Sequence, residues 1–223
     1  MEQHLTIAID GPAGAGKSTI AKKLAAHYGI IYVDTGAMYR AVALYMMRTH
    51  TDLDSEEAVV AKMDEVSVAL KYAEGSQVVM LNGEDVSEAI RLQEVGENAS
   101  RISVHLPVRK KMVELQQAMA RIESLVMDGR DIGTHVLTEA SLKVYLSADV
   151  MVRAKRRYDQ LLLTGLEADL GLIADEIEER DYRDMHREHS PLEQATDAIL
   201  IDTSYLNIEE VVTTIIQLVE RSG

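Results

Sequence analysis

Residues 5–19 read LTIAIDGPAGAGKST. The first five, LTIAI, form a short apolar run rich in β-branched side chains, the pattern of a strand buried on both faces in a parallel sheet. Gly11-Pro12-Ala13-Gly14-Ala15-Gly16-Lys17-Ser18 then matches G-x-x-x-x-G-K-[ST] in full. STIAKKLAAHYG follows with Ile20, Leu24 and Tyr28 four residues apart and Gly29 placed to end a helix. Strand, glycine-rich turn and helix in this order make a phosphate cradle. Its backbone N–H groups point inward and the helix adds the positive end of its dipole. Lys17 reaches the terminal phosphates and Ser18 offers a hydroxyl to Mg²⁺, so the motif implies a nucleoside triphosphate.

Outward from this stretch the alternation continues. IIYVD (30–34) is a second strand and AMYRAVALYMM a helix with Met38, Ala41, Val42, Tyr45 and Met46 on one face. The character changes near residue 50. A helix over 54–66 opens at Asp54 or Ser55. VALKY, QVVML and the turn Asn82-Gly83 read as a small antiparallel meander, and a helix is expected over 88–100. Pro107 opens a helix through VRKKMVELQQAMARIE, at a position where its missing N–H costs little. SLVMD (124–128), LKVYL (142–146) and AILID (198–202) are further strands, with helices over 149–163 and 174–188. A last helix opens at Asn207, with Glu210 completing a capping box. The pattern is α/β with a parallel sheet, and the meander after residue 50 reads as an insertion beside it.

The 223-residue chain has no cysteine, tryptophan or phenylalanine, so disulfide scaffolds and thiolate metal sites are excluded and a reducing compartment fits. Methionine and aliphatics must fill the core. The start, MEQHLTIAID, lacks the basic and long apolar segments of a signal peptide, and no apolar run approaches a membrane span. A cytoplasmic protein is expected. Thirty-seven acidic residues against 23 basic ones leave −14, which disfavours nucleic acid or an anionic membrane as a partner. The basic residues gather unevenly, with Arg153, Lys155, Arg156, Arg157, Arg180, Arg183 and Arg187 in one window.

Other residues join the cradle by position. Asp128 ends an apolar strand, where a carboxylate can hold Mg²⁺ through water, and Arg130 and Asp131 follow at the same sheet edge, where ligands bind in such folds. Thr35, Tyr39 and Arg40 open the helix after the second strand as a candidate phosphate clamp. Arg180, Arg183, Asp184 and Arg187 recur at helical spacing and could present one polar face to a ligand, or simply form i,i+4 ion pairs in solvent. His186 and His189 beside Glu188 find no further metal ligand in the pattern.

Taken together, IDGPAGAGKST (9–19), DTGAMYRAVAL (34–44), DGRDIGT (128–134), ERDYRD (179–184), then PL and IDT, resemble the bacterial cytidylate kinases, from residue 5 to about 215. The resemblance implies a three-layer α/β P-loop kinase with a five-stranded parallel sheet, a small inserted nucleotide-binding domain and a mobile lid. It implies one kinase domain with its core at 1–39, 101–152 and 189–223, the acceptor insert at about 40–100, and the lid at about 153–188. It implies transfer of the γ-phosphoryl of ATP to CMP or dCMP, with Mg²⁺, by a monomer.

The resemblance also assigns residues. Gly11 to Thr19 would hold ATP phosphates, namely Gly11, Pro12, Ala13, Gly14, Ala15, Gly16, Lys17, Ser18 and Thr19, with Arg156 and Arg157 near adenine. Arg40 and Arg130, assisted by Thr35 and Tyr39, would grip the acceptor phosphate. Ser100, Arg109 and Asp131 would read cytosine, Arg180 and Asp184 would face the ribose, and Arg187 the transferring phosphoryl. The alternative on the motif alone is a P-loop kinase of another small acceptor such as shikimate, against which DTGAMYR and DGRDIGT argue.

Overall fold

The computed structural model describes residues 4–73 and 76–222. The chain divides into two compact units, one of Met1–Tyr32 with Ala120–Gly223, the other of Val33–Met119.

The first unit is built on a five-stranded sheet of β1 (Thr6–Asp10), β2 (Ile31–Asp34), β6 (Leu125–Gly129), β7 (Leu142–Ser147) and β8 (Ile199–Asp202). The spatial order is β2-β6-β1-β7-β8, and the strands run parallel. Central β1 is covered on both faces, and Ile7, Ala8 and Ile9 have no exposed surface. That explains why it reads as a continuous apolar run instead of an alternating one. Helices α1 (Lys17–Tyr28) and α8 (Ile208–Ser222) flank the sheet through Ile20, Leu24, Val211 and Ile215. Asn207 Oδ1 accepts the Glu210 N–H at 3.0 Å and Glu210 Oε2 the Asn207 N–H at 2.7 Å, the reciprocal box expected at the start of α8. Helices α6 (Val150–Leu163) and α7 (Leu170–His186) form a hairpin packed by Ala154, Ile173, Ala174 and Ile177.

The second unit carries α2 (Thr35–Arg48), α3 (Glu56–Met63), the antiparallel meander β3 (Val68–Ala73), β4 (Ser76–Leu81) and β5 (Glu84–Asp85), then α4 (Gln93–Ile102) and α5 (Leu106–Ala120). Asn82 and Gly83, both at positive φ, join β4 to β5. The turn expected between VALKY and QVVML includes residues 74–75, outside the described residues. Met38, Met46 and Met112 are fully buried in this core beside Val42, Val95 and Ile102. Flexible thioethers fill the volume that phenylalanine and tryptophan occupy elsewhere.

Several helix boundaries depart from the sequence reading, among them α3, expected over 54–66, which ends at Met63. The helix expected over 88–100 is broken. A short 3₁₀ turn, Ala89–Arg91, precedes an extended Leu92 (φ −56°, ψ 141°), and α4 begins at Gln93. The Arg40 guanidinium takes the Ile90 carbonyl at 2.8 Å, an acceptor that an unbroken helix would use for itself, and the Leu92 carbonyl at 3.3 Å, which also accepts the Gly96 N–H at 3.2 Å as α4 opens. The helix expected at 174–188 is α7 and starts at Leu170, because the Asp169 carboxylate accepts the Leu172 N–H at 3.0 Å and caps it. It ends at His186, since Arg187 is extended. Helix α5 opens one residue before Pro107 and stops at Ala120.

Candidate phosphotransfer site

The loop between β1 and α1 has the form of an anion cradle. Helix α2 is capped by Asp34, α3 by Ser55, α6 by Asp149 and α7 by Asp169, each accepting a backbone N–H of its own first turn. At α1 no side chain caps the end, Gly16 stands at φ 93°, and no acid lies in the first turn. The orphan N–H groups at the start of α1 are left for an anion, and the dipole favours one. Lys17 is 6 % exposed and donates from Nζ to the Pro12 carbonyl at 2.7 Å. Burial, and then the charge of Arg130, push the Lys17 ammonium down to about 7. A phosphate brought to it replaces the missing solvation.

Asp128, at the end of β6, is buried and accepts hydrogen bonds from Ser18 Oγ (3.2 Å, to Oδ2) and Tyr32 Oη (2.8 Å, to Oδ1). A hydroxyl and a carboxylate side by side are hard oxygen donors, the set that suits Mg²⁺ bound by few protein groups with phosphate and water completing its shell. Among the described residues no cluster of three or more His, Asp or Glu forms a protein cage for a metal. His186 has its Nδ1 2.8 Å from the Tyr182 carbonyl and stacks on that ring.

The turn after β6 is held from below by a residue absent from the sequence assignment. Asp10 accepts the N–H groups of Ile132 (2.8 Å) and Gly133 (2.7 Å), fixing the residues directly after Asp131. Burial pushes its carboxyl up to about 6, against those two hydrogen bonds. The signal was a lone acid at the end of a buried apolar strand. The folded pKa lies above the ordinary 3.8, so the folded state binds the extra proton between those values. This contribution to stability is present below pH 3.8 and lost as pH rises through about 6. Asp10→Asn removes it. From pH 4, where the unfolded carboxyl is already about half ionised, to pH 7.5 wild type should lose roughly 2 kcal/mol relative to the variant, somewhat under two pKa units at about 1.36 kcal/mol each. Urea unfolding of both proteins at the two pH values measures it, and a pH-independent difference would exclude a neutral Asp10 at low pH.

The charged residues beyond the cradle pair in an unexpected way. The near partner of Asp184 is Arg130, whose Nε donates to Oδ2 at 2.9 Å, while Arg180 Nε stands at 4.0 Å. The Arg180–Asp184 pairing that helical spacing allows is thus secondary to one with a residue 54 positions away. Burial works against the Asp184 carboxylate, but the Arg130 and Arg180 charges outweigh it and hold its pKa below the ordinary value. Arg187 Nη2 lies 3.5 Å from Asp131 Oδ1, and its Nε donates to the Ser190 carbonyl at 2.7 Å. Arg156 donates to Thr203 Oγ1 and to its carbonyl, and Thr203 Oγ1 in turn donates to the Ala15 carbonyl of the cradle. Arg157 bonds Gln160 along its own helix.

The remaining candidates, Thr35, Tyr39, Arg40, Ser100 and Arg109, belong to the second unit. Thr35 is buried at the start of α2 and Ser100 on α4. Arg109 lies over the Tyr39 ring, 5.7 Å from its centroid, and donates to the Ser103 carbonyl at 3.1 Å. Gly96 is the residue the sequence reading missed here. A Cβ at this position would come 2.6–2.8 Å from the Arg40 guanidinium atoms, so the glycine makes the seat in which Arg40 rests. A glycine inside a helix was the available sign.

Residues 7–221 match the family described as cytidylate kinase. A cytidylate kinase of Lactobacillus gasseri is 48 % identical over 217 residues, 97 % of this chain and 94 % of its own. One from Geobacillus kaustophilus is 44 % identical over 224 residues, all of both chains. Among solved structures, a shikimate kinase from Acinetobacter baumannii in complex with shikimate aligns with a TM-score of 0.50 at 15 % identity, over 99 % of this chain and 95 % of that one. At that identity the likeness concerns the fold alone.

Proposed function

The chain belongs to the cytidylate kinase family, and from that premise we infer that it transfers the γ-phosphoryl group of ATP to CMP or dCMP. The observation that carries the reading is the uncapped α1 terminus with Lys17, Ser18 and Asp128 around it, in a chain matched to that family over residues 7–221. Phosphoryl transfer asks little covalent help of a protein. It asks for two polyanions to be aligned and their charge neutralised.

In this reading Gly11 to Thr19 hold the ATP phosphates, with Arg156 and Arg157 on the adenine side. Ser18, with Asp128 through water, would hold Mg²⁺, which supplies charge neutralisation on the phosphates when bound. Arg40 and Arg130, with Thr35 and Tyr39, grip the acceptor phosphate. Ser100, Arg109 and Asp131 read the cytosine, Arg180 and Asp184 the ribose, and Arg187 meets the transferring phosphoryl. The insert at about 40–100 serves the acceptor, and α6 and α7, within about 153–188, act as a lid that excludes water. No helix among the described residues is long and apolar enough to cross a membrane. A cytoplasmic monomer acting on small nucleotides, without nucleic acid or membrane partners, suits the charge of −14.

The test is ATP consumption with CMP, dCMP, UMP, AMP, GMP and shikimate in turn. CMP and dCMP should be strongly preferred. The Asp131 carboxylate can accept from the cytosine 4-amino group, whereas uracil sets a carbonyl against it, a mismatch that can cost up to ~10⁴-fold. Consumption with shikimate but not with CMP would overturn the reading.

The seat of Arg40 yields a sharper expectation. Gly96→Ala should raise the KM for CMP roughly 10- to 100-fold, the worth of one charge-assisted contact, with the KM for ATP unchanged. Alanine is the better helix former by about 1 kcal/mol, so lost helix propensity cannot produce that result. Initial rates with each substrate varied, beside a thermal melt, decide it.

A further inference from the structure

Two buried charges beside the cradle take no part in the roles above. Arg153 in the first turn of α6 and Asp181 on α7 pair at 2.5 Å, with side chains only 5 % and 9 % exposed. A buried ion pair is a poor source of stability, because desolvation offsets the attraction. What distinguishes this pair is where its other bonds go. Arg153 Nη1 also donates to the Ala13 carbonyl at 3.0 Å, and Nε is anchored on the Ala148 carbonyl at 2.9 Å. Asp181 Oδ1 accepts the Ala13 N–H at 3.4 Å. The neighbouring Gly14 lies against Arg153, where a Cβ would come 3.1 Å from the Arg153 Cβ.

The Ala13 N–H belongs to the Pro12–Ala13 peptide and its carbonyl to the Ala13–Gly14 peptide. The pair therefore holds two successive peptide planes in the middle of a loop that works through the directions of its N–H groups. A loop left to turn those planes would lose conformational freedom only when the nucleotide arrives, and affinity with it. We propose that Arg153 and Asp181 are positioning residues for the donor nucleotide. Without touching it, they hold the cradle around Ala13 in its phosphate-binding shape before ATP arrives. The inference rests on the reading of Gly11 to Thr19 as the ATP cradle.

The decisive protein is the double variant Arg153→Met/Asp181→Leu. It removes both charges together and leaves neither unpaired, so the fold should survive. ATP and CMP are titrated separately onto the protein without turnover, and a thermal melt is recorded. The expected result is ATP binding roughly tenfold weaker, about 1.4 kcal/mol, with CMP binding and melting temperature close to wild type. Wild-type ATP affinity in the folded double variant would overturn the proposal. So would equal weakening of ATP and CMP, which marks a general structural role. Should the double variant not fold, Asp181→Asn decides by the same two titrations. A wild type that binds ATP but does not phosphorylate CMP would remove the cytidylate kinase reading and leave this test standing.

Discussion

Lys17→Met is expected to lower kcat roughly 10³-fold, the scale seen when one preorganised donor to a transition state is removed. The amine sits in the cradle with its Nζ on the Pro12 carbonyl, 2.7 Å away, and burial with the charge of Arg130 has pushed it down to about 7. A site that strains to keep this group charged gives a methionine of similar length an undemanding place, so the fold should survive the change. The loss then belongs to chemistry: phosphate oxygens gain negative charge during transfer, and the amine that meets them is gone. Turnover with ATP and CMP, beside a thermal melt, makes the measurement. Near-wild-type kcat in a folded variant would remove Lys17 from the reaction.

Gly11→Ala should be the most damaging single methyl group in the cradle. Gly11 stands at φ 145°, and a Cβ there would lie 2.0 Å from the Leu146 carbonyl oxygen of β7. The obstacle is strand backbone, which cannot rotate aside. Strain at that φ and forced displacement of the strand or loop together cost roughly 2–5 kcal/mol. In a chain of this size that lowers Tm by about 5–15 °C. Gly29 supplies the comparison. It too has positive φ, 64°, but open space around its would-be Cβ, so Gly29→Ala should cost only about 1–2 kcal/mol. Equal melting temperatures for the two variants would show that the close approach to Leu146 is not what demands glycine.

The residues that were legible from the chain alone are those whose partners are close in sequence or whose motif is complete in itself. The strand, cradle and α1 stand within one run of 23 positions, Thr6 to Tyr28, and the partners of the Asn207–Glu210 box are three residues apart. The helical period of apolar residues placed α2, and short continuous apolar runs placed the strands of the main sheet. Asp128 was legible because it ends an apolar strand, and its bonds to Ser18 and Tyr32 gave that position its chemistry. The start at Leu170 is set by the Asp169 cap, which precedes the stretch that carries the acidic and basic pattern of the helix.

Other features depended on contacts that sequence spacing cannot reveal. Arg40 bonds the chain at the helix break near Leu92 from 52 positions away, and Gly96 matters because that guanidinium lies on it. Asp184 looks on its helix like a partner for Arg180, four residues off, yet it pairs more closely with Arg130, 54 residues off. Asp10 supports Ile132 and Gly133 because β1 and β6 pair in a register that sets Asp10 opposite Gly129. Arg153 reaches Ala13 across 140 residues. The α/β alternation and the glycine-rich cradle follow from the chain alone, because propensity, capping and loop geometry act over a few residues. Which buried charges meet, and which glycine cannot gain a methyl, follows from packing, because strand register and helix packing set the distances between groups remote along the chain.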